Sequence, residues 1–77
     1  MNIIKDLKKL IKEDNYKGFL EIIYFCDNQK DIEKMLANNF VCDYMLKKAK
    51  ECKKNPELEA IRRGVIDASI ARYKEKK

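Results

Sequence analysis

The chain has 77 residues, 45% of them hydrophobic and 40% charged, with a formal net charge of +5. A chain of this length buries only about 60% of its unfolded surface, which leaves room for one domain, 1–77, and no second core. Mixed-sign charge and the lack of a long apolar run exclude wholesale disorder and a membrane span, while the absence of His, Thr and Trp, with Ser69 as the one serine, removes most catalytic chemistry.

Apolar residues recur at spacings of three and four, Pro56 is the one proline, and Gly18 and Gly64 are the two glycines. The pattern predicts an all-α fold, a single compact bundle of four to five short helices. Ile3, Ile4, Leu7, Leu10 and Ile11 form one stripe, with Lys5, Lys8, Lys9 and Lys12 on the remaining surface, so residues 2–12 read as an amphipathic helix. Glu13-Asp14-Asn15 ends it and offers an N-cap to a second helix over 15–26. Tyr16, Phe19, Leu20, Ile23, Tyr24 and Cys26 lie on more than one side of that helix, which marks it as the buried centre. Asp27 or Asn28 caps a third helix over 28–38, with Ile32, Met35 and Leu36 inward. Asn38-Asn39 ends it, because Asn tolerates the left-handed conformation at a C-cap. A fourth helix over 40–53 uses Val41, Cys42, Met45, Leu46, Ala49 and Cys52. Asn55-Pro56-Glu57 supplies an N-cap, a first-turn proline and an acid near the positive helix end, and opens a fifth helix over 56–76.

The charge is unevenly placed. Residues 1–40 hold seven Lys and seven acids, whereas residues 41–77 hold eleven Lys or Arg against six acids and carry the whole +5. The C-terminal half is therefore expected to face an anionic partner, with Lys47, Lys48, Lys50, Lys53, Lys54, Arg62 and Arg63 as the candidate contact patch. Six of the seven aromatics lie in or beside the neutral half, away from this patch, which argues against base stacking on single strands. Cys26, Cys42 and Cys52 form an odd set with no C-x-x-C and no His, so neither a closed disulfide set nor a zinc site is expected, and each reads as a small apolar residue. The N-terminus carries charges every few residues where a signal peptide needs an apolar stretch, so a cytoplasmic location is expected. No cofactor motif, Gly-rich phosphate loop or metal-ligand spacing is present, and the expectation is a protein without catalytic activity, cofactor or metal.

Gly64 divides the reading of the last segment. If the helix passes through it, Leu58, Ile61, Val65 and Ala68 form a regular stripe, and the chain shows self-similarity near forty residues. Leu7-Lys8-Lys9-Leu10 recurs as Leu46-Lys47-Lys48-Ala49, and Tyr16, Phe19, Ile23 and Tyr24 recur as Leu58, Ile61, Val65 and Ile66. Together with the order Met35 to Val41, Met45-Leu46 and Asn55-Pro56-Glu57-Leu58, this resembles armadillo or HEAT-type repeats, which implies a protein-binding surface. If the chain turns at Gly64, residues 58–73 resemble the helix-turn-helix of bacterial repressors, with Ala60 and Gly64 at the small-residue and turn positions. Residues 67–77 would then be the recognition helix, with Ser69, Arg72, Lys74, Lys76 and Lys77 as DNA contacts. Glu59 and Arg63 depart from that pattern at its apolar places. The expected function is a small non-catalytic helical binding protein that engages another protein with an acidic surface as an adaptor, inhibitor or immunity-type factor. The alternative is a helix-turn-helix DNA-binding regulator.

Overall fold

A computed structural model of the chain describes residues 2–75, and among these it contains five helices: α1 (Ile3–Lys12), α2 (Tyr16–Phe25), α3 (Gln29–Ala37), α4 (Asn39–Cys52) and α5 (Pro56–Glu75). Asparagine starts every one of them. The Oδ1 atoms of Asn2, Asn15, Asn28, Asn38 and Asn55 accept backbone N–H bonds from Lys5, Gly18, Asp31, Val41 and Leu58 respectively, at 3.0–3.3 Å. Each cap satisfies a donor that the helix start leaves unpaired.

The expected left-handed end of α3 does not form. Asn38 has φ −90° and ψ 112° and serves at once as the end of α3 and the cap of α4. The left-handed residue is Asp14, at φ 53°. There Asp14 N donates to Ile11 O and Asn15 N to Leu10 O, which closes α1 with a Schellman motif and turns the chain sharply into α2.

The helices pack as two hairpins side by side. α1 packs on α2 and α4 on α5, while α1 also lies against α4 and α2 against α5. α2 and α5 run in the same direction: the Tyr16 end of α2 lies by Cys52 and Arg62, and at the other end Ser69 Oγ donates to Tyr24 O at 2.9 Å. The arrangement is a slab of 35 × 27 × 17 Å, two helices deep, with α1 and α4 in one layer and α2 and α5 in the other. α3 packs on α1 and α4. Stacked hairpins, like against like, are the geometry that a repeat near forty residues implies, so the five-helix fold is compatible with a helical repeat.

Phe19, Leu7 and Val41 are the largest fully buried side chains, one from each of α2, α1 and α4. Phe19 meets Tyr44 edge-on at 4.8 Å between centroids, and Tyr16 meets it at 6.4 Å. The inward face of α4 is Val41, Tyr44, Lys48 and Cys52, with Met45 half-buried. That face is rotated from the expected stripe, so Leu46 is 63% exposed and Ala49 faces solvent. Leu36 is likewise 66% exposed rather than inward.

α5 is unbroken through Gly64. The turn that the helix-turn-helix arrangement requires is therefore absent, and residues 58–73 do not form that motif. A glycine in mid-helix costs about 0.5–1 kcal/mol relative to alanine, which the packing of Leu58 and Val65 on the core outweighs. The stripe read from spacing is only half used: Val65 is buried and Leu58 half-buried, but Ile61 is 38% exposed and Ala68 is open to solvent.

Candidate interaction surface

The residues of the expected basic patch do not act together. Lys48, on the inward face of α4, is buried, and its Nζ lies 2.7 Å from Asp14 Oδ1, 3.2 Å from Glu51 Oε2 and 5.5 Å from the Tyr44 ring centroid. The same Asp14 oxygen accepts a 2.8 Å bond from the Tyr44 hydroxyl. Burial opposes the charge on Lys48, yet its two carboxylates outweigh that and raise its pKa; the Lys48 and Tyr44 contacts in turn hold the Asp14 carboxyl below its ordinary range. Burial, and then the Asp14 bond, pushes Tyr44 up. This cluster locks the left-handed α1–α2 turn to α4. It is a structural element, not a contact surface.

Arg62 and Arg63 remain at the surface but are ion-paired within α5. Arg62 grips Glu59 with two bonds, Nη2 to Oε1 at 2.6 Å and Nε to Oε2 at 2.9 Å, and Arg63 Nε adds a third at 3.1 Å. Arg62, and to a lesser degree Arg63, lowers the Glu59 pKa from 4.5 to about 2. Glu59 and Arg63, which the helix-turn-helix pattern would have placed in an apolar core, are thus partners in an ion pair along α5.

Of the DNA-contact candidates, Ser69 is bonded to the Tyr24 carbonyl and Arg72 stacks its guanidinium over Phe25 at 5.4 Å. Lys74 is exposed at the end of α5. Lys76 and Lys77 lie outside the described residues, as does the expected end of the last helix at 76.

The cations that remain exposed and without a carboxylate within 4 Å among the described residues include Lys47, Lys50, Lys53 and Lys54 of the original patch, joined by Lys5, Lys8, Lys9 and Lys12 of α1. The spacing i, i+3, i+4, i+7 puts the four α1 lysines on one helix face. α1 holds those four against Asp6, while α5 balances Arg62, Arg63, Arg72 and Lys74 against Glu57, Glu59, Asp67 and Glu75. Among the helices the net positive charge therefore sits on α1, at +3, and α4, at +1, with Lys53 and Lys54 just beyond α4, while α5 is neutral. Residues 1–40 sum to zero in part because Glu13 and Asp14, in the turn beyond α1, offset two of its lysines.

The two lysine groups approach each other at Lys8 and Lys47, whereas Lys53 lies on the other flank of α4, in a cleft with Glu59 and Arg62 of α5. Ile11, Phe40, Asp43, Tyr44 and Lys47 line the α1–α4 seam, an open cleft of about 310 Å³, and Lys8 lies one turn before Ile11 on α1. Phe40 is 46% exposed there. The opposite layer has a different character: α2 and α5 enclose an apolar groove of about 480 Å³ walled by Phe25, Ile61 and Val65.

No three or more Cys, Asp or Glu side chains are placed to hold a metal ion among the described residues. Cys26, Cys42 and Cys52 are free thiols, with Cys52 buried near the Tyr16 hydroxyl. No helix among the described residues is long and apolar enough to cross a membrane. The chain matches no protein-family model, no curated protein and no solved structure.

Proposed function

We propose that this is a small, non-catalytic helical protein that binds another protein, with the lysine face of α1 and α4 docking an acidic surface of the partner. The observation that carries the reading is the α1 face itself. Lys5–Lys8, Lys5–Lys9, Lys8–Lys12 and Lys9–Lys12 are like-charge neighbours, and among the described residues none has a carboxylate within 4 Å. Each such pair destabilises a helix by about 0.2–0.5 kcal/mol, and the attractive spacings Asp6–Lys9 and Lys9–Glu13 offset about half of the sum, leaving a net cost of about 0.4–1 kcal/mol. The roughly 4–12 kcal/mol available to a chain of this length makes that cost noticeable. An anionic partner turns this internal repulsion into attraction and speeds encounter. Lysine in place of arginine suits long-range steering better than bidentate reading of phosphate or base edges. Phe40, exposed beside Lys47 at the α1–α4 seam, offers an apolar anchor next to the lysines.

The test is site-specific photo-crosslinking in the cells that make the protein, from positions 9 and 50, with position 33 on α3 as control. One acidic protein is expected from the first two positions, and its capture should be lost when Lys8→Glu and Lys47→Glu are combined. Equal yields from all three positions, or a duplex-DNA gel shift that persists at about 0.15 M salt, overturn the reading.

A further inference from the structure

The groove between α2 and α5 contains a glycine that the single chain does not require. Gly64 has no positive φ, and a Cβ built on it would meet nothing within 4 Å. Neither backbone conformation nor packing within the chain asks for it. Gly18 is different, since a Cβ there would press to 3.1 Å from the Asn15 cap. What Gly64 permits is close approach from outside. Ala60 and Ala68 lie one turn to either side of it, Phe25 forms the opposite wall, and Ile61 stands 38% exposed in the opening.

We infer that this groove is a self-association surface, in which α5 of a second copy crosses α5 near Gly64 and the two Ile61 side chains enter each other's groove. Charge selects a second copy as the occupant. The α1–α4 layer is strongly basic and repels its like, so two copies do not meet there. α2 balances Lys17 with Glu21, and α5 is balanced as described above, so the α2–α5 layers come together without net repulsion. Lys17 and Glu21 stand one turn apart on the groove rim, with opposite signs, as a self-complementary two-fold contact needs. An acidic partner is drawn instead to the other layer. Association through α2 and α5 leaves both lysine faces outward, so this inference stands or falls independently of the proposed function.

Sedimentation velocity of the full chain from about 1 µM to about 1 mM tests it. The expected result is a rise from 9.2 kDa towards twice that mass. Gly64→Leu should remain monomeric throughout while its melting temperature, measured at the dilute end, equals or exceeds that of the parent, because leucine is the better helix former and the site is open in the single chain. Ile61→Lys should also be monomeric, whereas Lys9→Glu should associate like the parent. A parent chain that stays monomeric up to the highest concentration overturns the inference, whatever else fills the groove. So does a Gly64→Leu chain that associates within about two-fold of the parent, or one whose melting temperature falls, since the latter would give Gly64 a role within the chain.

Discussion

Replacing Lys48 with methionine isolates the buried ion-pair cluster, because the apolar stem keeps its volume while the ammonium is lost. In the folded chain that ammonium lies 2.7 Å from Asp14 and 3.2 Å from Glu51, with a side-chain exposure of 7% against 66% and 45% for its partners. Stranding a charge in a fully buried pair costs about 3–5 kcal/mol, but here both carboxylates are partly hydrated and recover much of that. Glu51 Oε2 is the exception. It is buried and accepts no hydrogen bond, so the nearby ammonium is what offsets its lost hydration. Leaving a buried acceptor without compensation costs about 1–3 kcal/mol, so Lys48→Met should lose about 2 kcal/mol. For a chain of this size that is a fall of about 8–16 °C in melting temperature, read by far-ultraviolet circular dichroism at neutral pH. Adding Glu51→Gln should restore part of the loss, since it removes the stranded charge. A fall of less than about 3 °C for Lys48→Met, or no recovery in the double variant, would refute the reasoning.

Asn55→Ala should cost about 1 kcal/mol through the lost α5 cap, and chemical denaturation should show Asn39→Ala within about 0.5 kcal/mol of the parent, because Asn39 is exposed and caps nothing. Asp14→Gly relieves a left-handed backbone but removes the Tyr44 and Lys48 contacts, and the net expectation is a loss of about 1 kcal/mol. A gain in denaturation midpoint would show that those contacts contribute less than the relief of the left-handed backbone. The depressed pKa of Glu59 makes its contribution to stability fully present above about pH 4.5 and lost as pH falls towards 2. The difference in melting temperature between the parent and Glu59→Gln should therefore close over that window and shrink in high salt; a difference that stays constant from pH 6 to about 2 contradicts the assigned ion pair.

Helix positions were legible because their punctuation is chemical and local. The Asn55 cap and the first-turn Pro56 are visible in the sequence, the caps at Asn15 and Asn28 are visible as one candidate among neighbours in Glu13-Asp14-Asn15 and Asp27-Asn28, and among the described residues the helices start and end close to the expected boundaries. The direction each helix faces depends on its neighbours and was less legible. On α4 the expected stripe ran through Leu46 and Ala49, yet Val41, Tyr44, Lys48 and Cys52 point inward. Lys48 shares that i, i+3/i+4 register, so its burial had a sequence signal. Its partner Asp14, thirty-four positions away in a left-handed turn, had none. The same limit governed the candidate site. Lys47, Lys50, Lys53 and Lys54 remain exposed as expected, but Arg62 and Arg63 are taken up by Glu59. The lysines of α1 join the surface only once α1 is seen to lie beside α4.

The docking role of that lysine face is best tested by titrating the ¹⁵N-labelled chain with poly-L-glutamate, a defined acidic polypeptide, at low and near-physiological salt while recording amide shifts. The account predicts that shifts concentrate on α1 around Lys5 to Lys12 and on α4 around Lys47 and Lys50, and that they weaken with salt. Shifts centred on α5 around Arg62 to Lys74, or none at low salt, would contradict it.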